Sequence, residues 1–517
     1  MYKLGIDVGG TNTDAVLIDE KLNVVASIKQ HTSENIYDGI INAVRTVLEQ
    51  SGVDRAEIGQ AMLGTTQCTN AIVERKNLAP IGIMRIGAPA SRGIPLMVDW
   101  AEDLKKIAVK TAIVGGGFEY DGKELAPFDT EAATKFFQEL KEQGVKSVAI
   151  SCVFSTVRND HELEAAKLCK EVMGEDVHVS ISSEIGSMGL IERENATILN
   201  AALYKVAQSF TEGFAQSLAD QGVTNAQVYL SQNDGTLMTM DYARRYPILT
   251  IACGPTNSIR GASYLSQQKN AIVIDVGGTT TDLGVIQNGF PRESGVAVTI
   301  GGVRTNFRMP DVVSIGLGGG SIVRQQEDGT VTVGPDSVGY KITEKALCFG
   351  GDVCTATDIA VRLGMTDLGD KSLVMGLDEE FAKKGMAAIR ALCEDSIDAM
   401  KVSSDDVDVI LVGGGSIVLP ENLAGAKSVT KHEHGGVANA IGSAISKVSG
   451  TYEQLIDYNE IPREKALEQA RAEAIELAVS AGAIRETVEI IDAEDVPLQY
   501  YPGNTARVKI KAAGDLA

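Results

Sequence analysis

Two segments of the sequence carry the same set of residues suited to holding phosphate. Residues 5–18 read GIDVGGTNTDAVLI and residues 273–286 read VIDVGGTTTDLGVI, so the pattern D-V-G-G-T-x-T-D occurs twice. The paired glycines lack a Cβ, which lets the backbone turn tightly and brings N–H groups close to an anion. The threonine hydroxyls donate hydrogen bonds to phosphate oxygens without adding charge. Each segment therefore predicts a β-hairpin that binds phosphate.

The aspartates of these segments are candidates for catalysis and metal binding. Asp7 and Asp275 end buried strands, where a carboxylate suits Mg²⁺ or one of its waters. Asp14 and Asp282 either complete the coordination of Mg²⁺ through water or only cap the turn. Two facing hairpins would clamp the phosphates of one ATP molecule, so ATP and Mg²⁺ are the predicted cofactors. The predicted phosphate contacts are Gly9, Gly10, Thr11 and Thr13 in the first hairpin and Gly277, Gly278, Thr279 and Thr281 in the second.

The alternative interpretation is that each Gly-Gly pair is only a tight turn, as for many short glycine motifs. The recurrence of both aspartates and both threonines in each copy favours a shared ligand. A third glycine element, DVILVGGGSIVLP at 408–420, enters a loop of Gly413, Gly414, Gly415 and Ser416. Such a loop lets a flat ring approach the backbone, which predicts a contact with adenosine. A close crossing of strand and helix is the alternative explanation for these small residues.

The elements that must position these residues follow an alternating α/β pattern. Short apolar runs lead into glycine loops, and helical stretches are predicted at 129–143, 160–172, 196–221 and 379–400. Because the two aspartate motifs are about half the chain apart, the sequence predicts a duplicated domain rather than a short repeat. The predicted divisions are 1–185 and 186–450, each with one hairpin, and a tail at 451–517. The tail is predicted as a helix at 464–480 and a small β element packed on one main domain.

Composition limits the classes of partner. The chain has 517 residues, with 47 lysines and arginines against 69 aspartates and glutamates, for a net charge of −22. A field this acidic opposes binding to nucleic acid and to anionic membranes. The seven cysteines contain no C-x-x-C pair, and the sequence opens directly on a strand pattern. We therefore expect a cytoplasmic protein without a secretory leader, a membrane span or a disulfide framework.

The glycine loops and the blocks between them resemble a known family. Two phosphate hairpins in a duplicated chain, followed by an adenosine loop, are similar to the actin, sugar-kinase and Hsp70-like ATPase superfamily. Within it, the sequence resembles the hydantoinase A/oxoprolinase family. The blocks that carry this resemblance, besides the two hairpins, are LGTTQCTNAIVERK (63–76), SISSEIGSMGLIERENATILNA (180–201), CGPTNSIRGA (253–262), GLGGGSI (316–322), VGPDSVG (333–339) and TATDIAVRLG (355–364).

The resemblance implies a fold and an activity. The implied fold is a pair of actin/hexokinase-like (ribonuclease H-like) α/β domains around a central nucleotide cleft, with a short C-terminal α+β tail. The implied activity is ATP-dependent opening of a cyclic amide such as a hydantoin, 5-oxoproline or another lactam. This subunit would phosphorylate the amide oxygen, and a hydantoinase B-type partner subunit would help complete hydrolysis. A homo-oligomer is also compatible with the sequence.

The resemblance also implies roles for residues outside the hairpins. Glu184 and Glu192 are implied catalytic residues for substrate contact or proton handling, with Arg193 beside them. An ordinary helix salt bridge is the alternative for Glu192 and Arg193. The block at 63–76 is expected to line the cleft between the domains. Two other functions share the same ATP site: a small-molecule kinase that releases its phosphorylated product, and an ATPase that reactivates a partner enzyme.

Overall fold

Strands and helices alternate along the chain in the computed structural model, which describes residues 1–9, 12–31, 36–294, 297–307, 309–498 and 503–516. The strands, numbered in chain order, are β1 Tyr2–Val8, β2 Asn12–Ile18, β3 Val24–His31, β4 Ile58–Thr65, β5 Ile81–Ala88, β6 Ala108–Gly115, β7 Ser147–Cys152, β8 His178–Ile181, β9 Gln227–Ser231, β10 Thr236–Thr239, β11 Ala271–Val276, β12 Thr281–Gln287, β13 Phe290–Pro291, β14 Val298–Ile300, β15 Val303–Thr305, β16 Val312–Ile315, β17 Ser321–Gln325, β18 Val331–Ser337, β19 Val407–Val412, β20 Ala426–Lys431, β21 Lys447–Asp457, β22 Glu489–Pro497 and β23 Thr505–Gly514. The α-helices are α1 Ile36–Ser51, α2 Gln67–Glu74, α3 Glu102–Lys105, α4 Thr130–Glu142, α5 Asp160–Met173, α6 Leu190–Ala202, α7 Tyr204–Asp220, α8 Met240–Arg245, α9 Cys253–Ser266, α10 Ile342–Lys345, α11 Ala356–Arg362, α12 Glu379–Met400, α13 Ala438–Ile445 and α14 Arg463–Ser480.

Both predicted hairpins form, and they share one register. β1 pairs antiparallel with β2 so that Asp7 lies opposite Asp14. β11 pairs antiparallel with β12 so that Asp275 lies opposite Asp282. Since cross-strand partners point to the same face of a sheet, each hairpin presents its two aspartates on one side. The repeat in the sequence is therefore a repeat in three dimensions.

Each hairpin belongs to a different sheet. The first sheet has the strand order β22-β23-β21-β10-β9-β4-β1-β2-β3, and the second has the order β13-β12-β11-β19-β20, with β16 also paired to β12. A third sheet, β6-β5-β7-β8, is parallel throughout and packs against α4, α5 and α6. Buried aliphatic side chains fill the space between each sheet and its helices.

Helices α9 and α13 lie between the two hairpin sheets. α13 packs on β1 and β2, whereas α9 packs on β11 and β12, and the two helices cross each other closely. Glycines make this crossing possible, because a Cβ at Gly442 would overlap the carbonyl oxygen of Asn257 and a Cβ at Gly261 would overlap that of Ala438. The helix pair therefore fixes one hairpin relative to the other.

Most predicted helices are confirmed, and one is wrong. α4 begins where Asp129 accepts a hydrogen bond from the Ala132 N–H, and α12 begins where Asp378 accepts one from the Phe381 N–H. The single helix predicted over 196–221 is instead α6 and α7, which meet at Leu203. Apolar residues continue across this corner without glycine or proline, so the local sequence gives no signal of a break.

The sheets do not follow the predicted limits at 185 and 450. β9 and β10, from the predicted second half, pair within the first sheet. The strands of the tail also belong to the first sheet: β23 pairs along the length of β21, and β22 forms the outer strand. The β element predicted for the tail is thus an extension of that sheet, because its strands satisfy the hydrogen-bonding groups of β21. The division of the chain into domains remains a prediction.

No helix in the described ranges is long and apolar enough to cross a membrane.

Candidate functional site

Asp7 is a buried carboxylate that accepts hydrogen bonds from two asparagine side chains, one in α9 and one in α13. Its Oδ1 accepts a hydrogen bond from Asn257 Nδ2 of α9 at 3.2 Å, and its Oδ2 accepts one from Asn439 Nδ2 of α13 at 3.0 Å. Burial raises the pKa of Asp7 to about 6, and the negative charge of Asp14 adds to the rise. The asparagine hydrogen bonds oppose this shift, since they favour the ionised form.

Asp275 and Asp282 occupy the equivalent positions in the second hairpin. Asp275 Oδ2 accepts a hydrogen bond of 2.5 Å from the hydroxyl of Ser258 in α9, and Asp282 accepts one from the hydroxyl of Ser314 in β16. Burial raises the pKa of Asp275, and it raises the pKa of Asp282 to about 6. A nearby cation would oppose this rise in the pKa of both carboxyls.

The aspartates of the two sheets converge on one helix. Asn257 and Ser258 are neighbours in α9, and they bind Asp7 of the first sheet and Asp275 of the second. After burial and Asp14, the charge of Asp275 also contributes to the rise in the pKa of Asp7. The structure therefore brings together the two carboxylates that the sequence singled out, although they are about half the chain apart.

The described residues that flank the two hairpin turns form equivalent hydrogen bonds. The Gly9 N–H donates to the Asn12 carbonyl at 2.9 Å, and the Gly277 N–H donates to the Thr280 carbonyl at 2.9 Å. Thr13 and Thr281 are buried, and the Thr281 hydroxyl donates to the Leu317 carbonyl. Two predicted contacts, Gly10 and Thr11, lie outside the described residues.

The glycine-rich loop at residues 316–320 packs on the turn of the second hairpin. The N–H groups of Gly319 and Gly320 donate to the carbonyls of Gly277 and Gly278, at 3.0 and 2.8 Å. A Cβ at Gly318 would overlap the backbone of Gly278 and Thr279. The GLGGG segment of the sequence therefore supports the backbone of the turn.

The loop predicted to contact adenosine lies against the same hairpin. The Gly415 N–H donates to the Val276 carbonyl at 2.8 Å. Gly413 has a φ of 85°, and a Cβ there would overlap the carboxylate of Asp275. Close packing of backbone thus explains two of the three glycines. Gly414 is exposed and Ser416 is partly exposed, and all four residues of the loop remain predicted adenosine contacts.

Lys29 of β3 is a member of the site that motif analysis missed. Its Nζ lies 2.8 and 3.0 Å from the carboxylate oxygens of Asp14 and 3.0 Å from the carbonyl oxygen of Gly436, just before α13. Its side chain also approaches Gly414, and its charge lowers the pKa of Asp275 against the effect of burial. Lys29 therefore places a positive charge between the two halves of the site.

Lys29→Met should leave the fully buried carboxylate of Asp14 without its cation. We expect the free energy of unfolding to fall by about 2 kcal/mol, less than for a fully buried pair because the lysine is about one third exposed. Urea titrations of Lys29→Met, Asp14→Asn and the double variant measure the coupling. A double variant as unstable as the sum of the single variants would contradict the pairing, and Lys29→Arg is the charge-conserving control.

Glu184 and Glu192, the glutamates implied to be catalytic, contact side chains other than the hairpin aspartates. Glu184 accepts hydrogen bonds from Arg245 at 2.7 and 2.8 Å and from the Tyr246 hydroxyl at 2.6 Å, while Glu192 forms an ion pair with Arg304 at 3.3 Å. Arg193 is buried and donates to the Cys152 carbonyl. Within the described residues, no hydrogen bond or ion pair joins Glu184 or Glu192 to the hairpin aspartates. Their catalytic roles stay predictions.

The oxygen donors at the hairpins fit Mg²⁺ held through water. No group of three or more His, Cys, Asp and Glu side chains in the described ranges is arranged to hold a metal ion directly. The buried Oδ1 of Asn257, beside Asp7, has no hydrogen-bond partner. A hard, strongly hydrated cation would satisfy this oxygen and the carboxylates by way of its waters. The assignment of Asp7, Asp14, Asp275 and Asp282 to the metal remains a prediction.

Asp7 should make stability depend on pH between about 4 and 6. Its pKa in the folded state is about 6 against an ordinary value of 3.8, so the folded protein binds more protons in this window. Stability therefore falls as the pH rises through the window, by about 3 kcal/mol for this carboxyl. We expect Asp7→Asn to match the wild type at pH 4 and to exceed its free energy of unfolding at pH 7. A difference between the two proteins that does not vary with pH would contradict this prediction.

The two asparagines that hold Asp7 lie in similar short sequence patterns, which can be recognised only once α9 and α13 are seen side by side. α9 contains Asn257 followed by Ile259 and Gly261, and α13 contains Asn439 followed by Ile441. Each helix thus contains an asparagine, an isoleucine two residues later and then a glycine. This weak second repeat accompanies the hairpin repeat.

Comparisons with known proteins agree with this arrangement. Residues 3–173 match the hydantoinase/oxoprolinase N-terminal region, and residues 193–407 match the hydantoinase/oxoprolinase family. The caprolactamase subunit alpha of Pseudomonas jessenii is 28% identical over 411 residues, which cover 75% of this chain and 58% of that protein. 5-Oxoprolinase 1 of Arabidopsis thaliana is 26% identical, with 69% of this chain and 31% of that protein covered. The chain thus spans less than two thirds of the length of these relatives.

Two solved structures share the fold over nearly the whole chain. The ATP-dependent caprolactamase of Pseudomonas jessenii aligns with a TM-score of 0.78 at 20% identity, covering 99% of this chain and 87% of the other. A nucleotide-free acetone carboxylase aligns with a TM-score of 0.69 at 17% identity, covering 100% and 88%. The predicted fold class is therefore confirmed.

Proposed function

Because the chain belongs to the hydantoinase/oxoprolinase family, as its sequence blocks predicted, we propose that it is an ATP- and Mg²⁺-dependent subunit that activates a cyclic amide. In this proposal it phosphorylates the amide oxygen of a hydantoin, 5-oxoproline or another lactam and prepares the ring for hydrolytic opening. The names of the relatives support this class of substrate, since they include a caprolactamase and a 5-oxoprolinase.

One observation carries the proposal: the two hairpins meet at neighbouring residues of a single helix. Asn257 and Ser258 hold Asp7 and Asp275, so the strands that lead into the two turns end beside the same helix. Turns of this kind present backbone N–H groups to phosphate oxygens. A triphosphate between the two turns would contact both hairpin sheets. Because α9 and α13 pack on these sheets, their relative position would then depend on the bound nucleotide.

The chemistry needs positioning and charge compensation. An unstrained amide is a poor electrophile, and transfer of the γ-phosphoryl group to its oxygen yields an activated imidate and ADP. Water then attacks the ring carbon, the C–N bond opens and inorganic phosphate leaves. Mg²⁺, when bound, would neutralise charge on the phosphates. The chain itself supplies the turn amides, the carboxylates of Asp7 and Asp275 that orient the metal waters, and the cation of Lys29.

A partner subunit is part of the proposal. The caprolactamase relative is a subunit alpha, which supports an assembly with a second polypeptide. We propose a hydantoinase B-type partner that completes ring opening after phosphorylation.

The test is ADP release with ATP and Mg²⁺, measured with and without the partner, against a panel of hydantoins, 5-oxoproline and lactams. We expect at least one cyclic amide to raise ADP release and to appear as a ring-opened product by mass spectrometry. A stable phosphorylated product would indicate a kinase instead. Stimulation by a ketone with bicarbonate, and by no cyclic amide, would replace the proposal with a carboxylation. ATP turnover that responds to a protein partner and to no small molecule would indicate a reactivating ATPase.

A further inference from the structure

A cavity of about 610 Å³ lies beside the first hairpin. Its walls come from α1, the end of β4, the start of α2 and one face of α7. Side chains such as Ile40, Leu63 and Phe210 make much of the wall apolar, and Thr65, Gln67 and others add neutral polar groups. Cavities of this size hold small ligands with a few polar groups.

The position of the cavity follows from the alternation of side chains along β4. Leu63 and Thr65 point into it, whereas Gly64, between them, faces Asp7 on the other side of the sheet. Thr65 is the last residue of β4 and pairs with Val8, so the first hairpin turn starts one residue beyond its partner. A molecule in the cavity therefore lies at the end of the sheet where the predicted phosphate contacts begin.

The charge of the residues that line the cavity indicates which class of ligand it would bind. Lys205, at the start of α7, is the one formally charged residue among the described lining residues. It has no ion pair within the described part of the chain, although the protein carries a net charge of −22. A cation that has no ion pair among the described residues, beside a cavity with both apolar and neutral polar walls, favours a ligand with an apolar body and a carboxylate.

We propose that this cavity binds the cyclic amide and that Lys205 receives a carboxylate attached to its ring. The inference rests on the proposed function and makes it narrower: the preferred substrates are carboxylated cyclic amides. The ring packs against the apolar wall, and the amide oxygen points toward Thr65 and the hairpin turn.

The charge part of the proposal is tested with two compounds that differ only in a carboxylate, 5-oxoproline and 2-pyrrolidinone. Lys205→Met should raise the KM for 5-oxoproline about tenfold and leave that for 2-pyrrolidinone unchanged. Lys135→Met removes the same charge from an exposed position on α4 and should change neither value. Equal effects on the two compounds, or no effect on either, would overturn the role of Lys205.

The cavity itself is tested by filling it. Ser209 lines the cavity from α7 and is exposed, so Ser209→Trp places an indole there without removing a buried contact. We expect binding of both compounds, measured by calorimetry in the presence of the partner, to weaken at least about tenfold. Ala215→Trp puts the same side chain on an exposed position of α7 outside the lining and should bind as the wild type does.

The outcomes separate this inference from the proposed function. Stimulation of ADP release by cyclic amides in the wild type, with unchanged KM in Ser209→Trp and Lys205→Met, overturns the cavity and leaves the function standing. A wild type that neither binds nor responds to cyclic amides overturns both. Loss of cyclic-amide binding in Ser209→Trp with unchanged affinity for ATP supports both.

Discussion

Asp7→Asn should lower ATP turnover by at least about a hundredfold, and Asp275→Asn should do the same. Each carboxylate lies at the end of a strand that enters a phosphate hairpin, and each is bound by a residue of α9. Asparagine keeps the volume of the side chain and removes the charge that would orient a hydrated cation. Turnover of ATP at saturating Mg²⁺, measured for the purified variants, tests the expectation.

Two controls make this result interpretable. Asp19→Asn changes a partly exposed aspartate whose carboxylate binds only the loop between β2 and β3, and we expect wild-type turnover. Circular dichroism establishes whether the variants are folded, and Asp7→Asn should be at least as stable as the wild type at pH 7. Full turnover and full ATP affinity in both folded variants would show that the duplicated hairpins do not form the nucleotide site.

Gly442→Ala should destabilise the protein strongly, by about 3 kcal/mol or more. The added methyl group would overlap the carbonyl oxygen of Asn257 and crowd the backbone of Gly261, and neither main chain can move without separating α9 from α13. Because these helices carry the asparagines that hold Asp7, ATP affinity should fall as well. Urea unfolding followed by circular dichroism and equilibrium binding of ATP measure the two effects.

Gly385→Ala is the matched control for this substitution. Gly385 is a buried glycine in α12, but a Cβ there would meet its neighbours at 3.4 Å and beyond, which is ordinary contact. Alanine in a helix reduces the conformational freedom of the unfolded chain, so we expect an unchanged or slightly higher stability. Similar losses for Gly442→Ala and Gly385→Ala would show that the close crossing of α9 and α13 is not the cause.

The local sequence was sufficient to predict the hairpins and most helices. Gly-Gly after a strand favours a tight turn because glycine adopts backbone angles that other residues avoid, and the antiparallel pairing of Asp7 with Asp14 follows from the short turn between them. The limits of α12 were predicted without error because its apolar residues recur at helical spacing over 22 residues. These features depend on neighbours in the chain.

The partners of the aspartates could not be predicted in this way. Asn257 and Asn439 approach Asp7 from helices that lie 250 and 432 residues away in the chain. Lys29 stands in a strand with no motif, and its role appears only when β3 is placed beside Asp14. The corner at Leu203 and the pairing of β23 with β21 are also consequences of packing, since no local residue type requires them.

The sequence by itself determined that this protein has two hairpins with the same aspartate pattern, an α/β fold and the family that the comparisons bear out. Those conclusions rest on residue types at fixed spacing, because local backbone geometry limits the structures that such segments can form. Only the tertiary structure decided which side chains surround the aspartates, because burial and charge depend on every element that packs nearby. It also decided that the tail extends the first sheet and that a cavity lined by Lys205, which has no ion pair among the described residues, lies beside the first hairpin. The pairing of the tail strands and the cavity both arise from contacts between distant parts of the chain. Residue patterns within one segment cannot predict such contacts.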